Sequence, residues 1–425
     1  MIHIFKNLLE SRDNRKLLEN FISLFLLQGM NYILPLLLFP YLVRVLGVEN
    51  FGILSFVTAV IAYFILFTDY GFNITATRDI SINKDNNNKV SEIFSSVIII
   101  KLLLGIFSFL VLYVLVYTVQ GWKKYNYIYF LTFGSILGQI LLPIWFYQGM
   151  EKMKFFAIFN VLARIISTIL IFLYVKEPED IYFVPLVNSI AMIISGGTSF
   201  LVIRTLFNIR FQIQRFEVLI YYFKNGWNVF LSMFFSNFYR NFNILVLGLL
   251  TNDLFVGYYA IAEKLIKIIQ VSQDIVGNVL FPYFSEKFIK NNQYFFNFNN
   301  KFFPYIVSCY FILWFSTYFL SDQLAQLFNE DVNGSVSLDI KIMSIVILIG
   351  GLNYYFGILG LLSMGKNKYF SDCIIITGIS NIFISFLFVY FWDDIGASFS
   401  LVASEFILLI MIKLKLNKVK LMYKL

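Results

Sequence analysis

Apolar runs recur along all 425 residues of this chain, each closed by a short polar segment. Each is about 20 residues long, which as an α-helix rising 1.5 Å per residue crosses a hydrocarbon layer of ~30 Å. A helix also satisfies its backbone amides within one segment, as lipid demands. The pattern predicts spans over 20–41, 51–76, 94–118, 126–147, 155–175 and 181–205. A second set follows over 226–249, 255–282, 302–320, 340–362, 369–391 and 395–412. The fold class expected is an all-α membrane protein of about twelve transmembrane helices. Residues 1–19 are polar, and the first apolar run is longer than a signal-peptide core, so an uncleaved first span is expected.

The polar segments fix the direction in which the chain threads. Starting from the N-terminus, every second segment is basic, and these together hold 23 Lys and Arg. The intervening segments hold four, namely Arg44, Lys123, Lys124 and Lys176. Basic residues are retained on the cytoplasmic side, so the asymmetry supports twelve spans with both termini in the cytoplasm. A miscount by one span would scramble it. The opposite segments are short and acidic, with Glu177, Glu179, Asp180, Asp253, Glu330, Asp331, Asp393 and Asp394.

Composition narrows the function classes. Residues are 59% hydrophobic and 14% charged, against about 25% charged in soluble domains. The net charge of +8 is spread over short loops, which argues against nucleic acid as a partner. Cys309 and Cys373 lie in apolar runs and are expected as core filler, with no disulfide framework. His3 is the single histidine, so a zinc site or a histidine-dependent triad is not expected. No catalytic constellation is visible, and the short outer segments argue against a membrane glycan polymerase or ligase. The expectation is a transporter and not an enzyme.

The chain contains two copies of one plan. Met150-x-Lys152-x-Lys154-Phe155-Phe156 recurs as Met364-x-Lys366-x-Lys368-Tyr369-Phe370, 214 residues later. Val45-Leu46-Gly47 with Gly52 recurs as Val246-Leu247-Gly248 with Gly257. A copy displaced by six spans keeps its orientation, so two parallel six-helix lobes are expected, 1–210 and 211–425.

Ionisable residues inside spans cost about 2.5–3.5 kcal/mol each on insertion scales, so they face a cavity or a partner. The deep ones are Asp69, Arg164, Arg240, Glu263, Lys264, Lys267, Asp274 and Glu405. Lys101 and Lys341 lie nearer span ends and are expected to snorkel. In the eighth span Glu263, Lys267, Gln270 and Asp274 are spaced 4, 3 and 4, which makes one polar stripe flanked by Lys264. An ion pair between Glu263 and Lys267 is the competing reading of that spacing. Polar positions on spans one, two and seven, including Asn31, Asn73, Ser236 and Asn243, extend the pattern to equivalent helices of both halves. A hydrated central cavity is expected between the lobes. Gly134 and Gly138 mark close helix packing, and Pro35, Pro40 and Pro143 are expected to kink helices. Glu405 is expected to serve packing or local pairing.

Certain segments carry a family resemblance. Leu34-Pro35, Phe39-Pro40-Tyr41-Leu42-Val43-Arg44-Val45-Leu46-Gly47 and Glu49-Asn50-Phe51-Gly52 form the first. Asp69-Tyr70-Gly71-Phe72-Asn73 and Ala76-Thr77-Arg78-Asp79-Ile80-Ser81 follow, then Ile144-Trp145-Phe146-Tyr147-Gln148-Gly149-Met150-Glu151. The set resembles the Wzx-type O-antigen and capsule repeat-unit flippases, a polysaccharide transporter family of the multidrug/oligosaccharidyl-lipid/polysaccharide exporter superfamily. The resemblance covers mainly the first 160 residues. It implies alternating access that moves an undecaprenyl-diphosphate-linked oligosaccharide from the inner to the outer leaflet of the bacterial cytoplasmic membrane. The implied partners are that lipid-linked cargo, membrane lipid, and the glycan polymerase and chain-length proteins. A diphosphate calls for cations, and the candidates are Arg240, Lys264 and Lys267, with Arg44 and Arg164 beside them. No resident cofactor is expected; a proton or sodium gradient would act through Asp69, Glu263 or Asp274. Arg78 is expected to bind lipid headgroups or latch a gate. A lipid II flippase or multidrug antiporter of the same fold is the alternative, against which the opening motifs argue.

Overall fold

The apolar runs are helices throughout the computed structural model, which describes residues 12–238, 241–290, 294–328 and 333–422. No strand occurs among them. The order is α1 (Arg12–Asp69), α2 (Phe72–Ile82), α3 (Asn87–Thr118), α4 (Asn126–Leu141), α5 (Ile144–Gly149), α6 (Met153–Tyr174) and α7 (Phe183–Leu206). There follow α8 (Phe216–Phe238), α9 (Phe242–Leu250), α10 (Asp253–Lys290), α11 (Tyr294–Phe319), α12 (Ser321–Gln326), α13 (Asn333–Asn353) and α14 (Asn367–Met422). The turn after α13, Tyr354–Leu362, is π-helical.

Among the described residues eight helical segments are long and apolar enough to cross a membrane. Two of them, Ile33–Ile82 and Asn367–Leu421, are 50 and 55 residues long, far more than one crossing needs. Each is interrupted. α1 breaks at Gly47, whose φ of 78° only glycine adopts without strain, and α14 breaks at Trp392 and Asp393. Each therefore holds two spans, and α8, α9 and α10 occupy the predicted seventh and eighth. Pro35 and Pro40 lie within the helical backbone of α1, and the departure from helical φ and ψ falls at Gly47. Pro143 separates α4 from α5, where its missing N–H falls at a helix start and leaves no bond unmade.

The chain forms two compact units. The first runs as far as Phe39 and then takes Val60–Phe234; the second takes Pro40–Ala59 and Phe235–Leu425. The hairpin around Gly47 is thus packed with C-terminal helices, and α8 with N-terminal ones. In the first unit α4 lies directly on α7. A Cβ built on Gly138 would sit 2.6 Å from Met192 Cβ, and one on Gly196 would sit 2.7 Å from the Gly138 carbonyl oxygen. Bare glycines let these backbones meet, which is how helices associate where lipid removes the hydrophobic drive. The second unit is centred on aromatic and aliphatic side chains of α10, α11, α13 and α14, among them Phe284, Phe295, Tyr355 and Ile412. Cys373 is buried as expected, but Cys309 is exposed, so core filler describes only the former.

The α4–α7 contact gives a stability test. Gly138→Leu should lower the thermal unfolding midpoint of purified protein, through a loss of about 1–3 kcal/mol from overpacking. Gly197→Ala, where a Cβ meets nothing within 4 Å, should leave the midpoint unchanged or raise it.

Candidate functional site

α10 carries the densest set of charges on the apolar helices. Its residues 263 and 267 are one turn apart, and Lys267 Nζ reaches Glu263 Oε2 at 3.0 Å. The Glu263 carboxylate is buried and the Lys267 side chain half exposed, so the pair has one end in protein and the other in solvent. Lys264 turns to the neighbouring face, its ammonium 4.7 Å from the centre of the Phe51 ring. A ring face attracts a cation without neutralising it. Lys264 lies deep among protein atoms yet keeps an exposed side chain. It can therefore still meet an anion. Further along, Gln270 Nε2 donates to the Val346 carbonyl at 3.3 Å, which ties the stripe to α13.

Several other predicted residues have local partners of their own. Arg44 Nε donates to the Leu327 carbonyl at 2.8 Å. Arg164 Nε donates to Asn160 Oδ1 at 3.1 Å, one turn back on α6, beside buried Ser167 and Thr168. Arg78 is exposed on α2. Arg240 and the Asp274 side chain lie outside the described residues, as do the side chains of Asn31 and Ser236.

Asp69 pairs with Lys101 Nζ at 2.7 Å. This corrects the snorkelling expected of Lys101, whose side chain is only 3% exposed. The physical reason is that burying a carboxylate alone costs more than bringing a lysine to it. A lone acid and a lone base in successive spans were the sequence signal. Lys341 instead pairs with Asp322 at 3.0 Å near a helix end. Glu405 accepts from Asn353 Nδ2 at 2.6 Å. Asn243, placed by sequence on a cavity-facing stripe, is buried. Its amide donates to Tyr259 OH at 3.1 Å and to the Ala397 carbonyl at 3.3 Å, and Asn381 donates back to it. The amide thereby locks α9 to α10 and α14.

The motif segments pack on one another. α2 carries the A-T-R-D-I-S motif and α5 the I-W-F-Y-Q-G motif. Thr77 Oγ1 donates to the Trp145 carbonyl at 3.2 Å, and a Cβ on Gly149 would lie 2.8 Å from Ile80 Cβ. Trp145, Phe146 and Tyr147 are fully buried, and Tyr147 OH bonds Ser199 Oγ at 2.8 Å. The Asp69-Tyr70-Gly71 turn docks on α8, where Tyr70 stacks on Phe223 at 4.4 Å and on Phe230 at 4.9 Å. Gly226 leaves the room, since its Cβ would meet the Tyr70 ring at 3.0 Å.

In the second unit the two copies of the Val-Leu-Gly repeat meet face to face. A Cβ on Gly52 would sit 2.7 Å from the Gly257 amide nitrogen and against the Asp253 carbonyl. A Cβ on Gly257 would strike the Val48 carbonyl, and one on Gly248 the Phe56 ring. The contact is reciprocal, as expected of related hairpins brought together by a rotation axis.

Residues 17–288 match the family described as polysaccharide biosynthesis protein. A protein of Escherichia coli (strain K12) named "Putative O-antigen transporter" is 28% identical over 401 residues, 91% of this chain and 93% of that protein. One of the same name from Shigella dysenteriae is 31% identical over 271 residues, 63% of this chain and 67% of that protein. Among solved structures, the lipid II flippase MurJ in an inward closed conformation is similar with a TM-score of 0.70 at 14% identity, over 95% of this chain and 87% of that one. An inward-facing multidrug resistance MATE family transporter of the MOP superfamily is similar with a TM-score of 0.65 at 12% identity, over 92% and 99%. These two share the fold. With a family match across well over half its length, the chain is a multi-pass membrane transporter that belongs to the polysaccharide biosynthesis protein family.

Proposed function

We propose that this protein flips an undecaprenyl-diphosphate-linked oligosaccharide repeat unit from the inner to the outer leaflet of the bacterial cytoplasmic membrane, by alternating access, with both termini cytoplasmic. The observation that carries the proposal is the surface-exposed pair Lys264 and Lys267 within the apolar run of α10, in a chain related over nine-tenths of its length to a protein named as an O-antigen transporter. A diphosphate needs exposed cations on helices otherwise too apolar to hold it, and these two lysines offer them. Lys267 is held by Glu263, so cargo competes with that carboxylate for it. Arg164, on its polar stripe, is a second station; Arg240, outside the described residues, is a third by sequence.

The two glycine-lined contacts are the gates in this reading. The Gly52–Gly257 face closes the outer mouth, and Tyr70 on α8 closes the inner one. Both join a first-half hairpin to a second-half helix, the outer one through backbone at Gly52 and Gly257 and the inner one through Tyr70 stacked on Phe223 and Phe230. Arg78, exposed on the next helix, meets headgroups at the inner mouth.

Complementation of a flippase-deficient strain, scored by surface glycan at equal protein level, is the first test, and the intact chain should restore export. Lys264→Ala with Lys267→Ala should lower cargo affinity about tenfold or more, the effect of removing hydrogen bonds of about 1.5–3 kcal/mol to a charged group. Full export by that double variant would overturn the diphosphate assignment. For the outer gate, Val48→Cys in a cysteine-free background should resist a membrane-impermeant maleimide and become labelled when Gly257→Val is added.

Asp69 and Glu263 hold lysine partners, so a coupling ion at either must displace one. Lys101→Met should destabilise the protein by about 1–3 kcal/mol by leaving the partly buried Asp69 carboxylate without its cation, and Asp69→Asn should rescue it. Export by that stable double variant separates a structural pair, which retains it, from a coupling site, which loses it.

A further inference from the structure

Two acids that the transport reading leaves unused are the most deeply buried carboxyls among the described residues. Sequence places Asp394 in a polar outer segment and Asp339 at the edge of another, yet Asp339 is 0% exposed and Asp394 4%. Asp339 lies in the second turn of α13, and Asp394 follows the break at Asp393, where the last span begins. Their carboxyl groups are within hydrogen-bonding reach of each other. Asp339 Oδ1 accepts from Ser398 Oγ at 2.6 Å, but its Oδ2 is fully buried and meets no donor among the described residues. The neighbouring carboxyl, that of Asp394, is itself an acceptor when ionised.

A buried acceptor aimed at another acceptor marks a missing positive partner. Two ionised carboxylates side by side in protein repel, and one proton between them removes the repulsion and supplies the absent donor. Asp394 is the member suited to carry the charge, because the backbone N–H groups of Asp394 and Ile395 donate to it at the start of a helix. Asp339, with one hydroxyl donor, is suited to carry the proton. A metal ion fits less well: hard cations take six or more oxygens, whereas this site offers two carboxyls and a hydroxyl already committed to Asp339.

We propose that Asp339 and Asp394 form a proton-binding site, one proton shared between the two carboxyls, which the transport cycle loads and empties. Charged and titratable groups among the described residues act on the pair from the elements packed around it. From α10, Tyr258 acts on Asp394, and Tyr259 acts on Asp339. Asp393 adjoins on α14. On α12, Asp322 is taken by Ser337 and Lys341, which hold its carboxyl below the ordinary range and keep Lys341 from the pair. Tyr310 of α11 meets α13 at Gly351, about three turns away.

Tyr259 gives the site a connection. It is fully buried, within electrostatic reach of Asp339, and its hydroxyl donates to Glu263 Oε1 at 3.5 Å. Glu263 holds Lys267. The charge at the acid pair therefore acts, through the Tyr259 hydroxyl and Glu263, on how firmly Lys267 is held for cargo. This coupling step rests on the proposed flippase function, whereas proton binding does not.

Infrared difference spectroscopy of purified protein, labelled with ¹³C-aspartate and cycled between water and D₂O, reads the proton without cargo. The wild type should show the C=O stretch of a protonated aspartic acid, and the band should bleach as pH rises and be insensitive to sodium. Asp339→Asn, isosteric with the protonated acid, should remove that band while leaving the unfolding midpoint unchanged. In cells its glycan export should lose the dependence on external pH that the wild type shows. Absence of the wild-type band overturns the site, and its replacement by a sodium-dependent signal reassigns it to a metal cation. A band that persists in Asp339→Asn overturns the assignment to this pair. A band that is present while Asp339→Asn exports with the wild-type pH profile reduces the pair to a static hydrogen bond and overturns the transport role. Failure of complementation by the wild-type chain would instead count against the flippase reading and leave the infrared result standing.

Discussion

A charge on a helix that lies in hydrocarbon has no water to turn to, and the arrangement of this protein follows from that. Asp69 draws Lys101 inward to 2.7 Å, although Lys101 is near enough to a span end to reach the interface. Glu263 takes Lys267 from the next turn of its own helix. Arg164 settles on Asn160, and Glu405 on Asn353. Each arrangement removes an unpartnered ion from a low-dielectric setting, where leaving it would cost several kcal/mol. The groups that remain available to a ligand are those for which pairing stops short. Lys264 lies over the face of the Phe51 ring with an exposed side chain, and Lys267 is paired yet half exposed.

Close backbone approach is the second constraint, and it decides where the chain can move. Interdigitated side chains hold two helices in one register, whereas bare glycine faces part and meet again with little repacking. The Gly138–Met192 contact lies inside one unit between helices fixed along their length, so it serves as a rivet. The Gly52–Gly257 contact joins two hairpins, one of which the chain enters and leaves at the break of Gly47. Each contact lies inside one unit, and of the helices that make them α1 is the one that carries a backbone break, at Gly47.

Most of the fold was legible because its rule is one-dimensional: apolar length gives spans, and loop charge gives threading. The repeat was legible as Val-Leu-Gly at two places, but not that the two copies would meet, since that depends on packing of segments some 200 residues apart. The break of α1 was not legible, because a positive φ at Gly47 leaves no mark in the sequence beyond the glycine itself. The Glu263–Lys267 pair was readable from its spacing of four. Lys101 was misread because its partner lies on another helix, and spacing within one helix carries no information about that.

The same limit hid Asp339 and Asp394. Both sit where an apolar run gives way to polar residues, which ordinarily means solvent, and sequence alone offers no reason to bury them. Only the fold of α14 back onto α13 brings the two carboxyls together and shields them. A buried acid pair without a lysine is costly unless a proton resolves it, and a site that depends on a proton responds to pH in a way the lysine-bridged acids do not. Asp69 and Glu263 each have a lysine partner, at 2.7 Å and 3.0 Å. Of the acids described on these helices, the pair that found no cation is the one best suited to exchange a proton with solution.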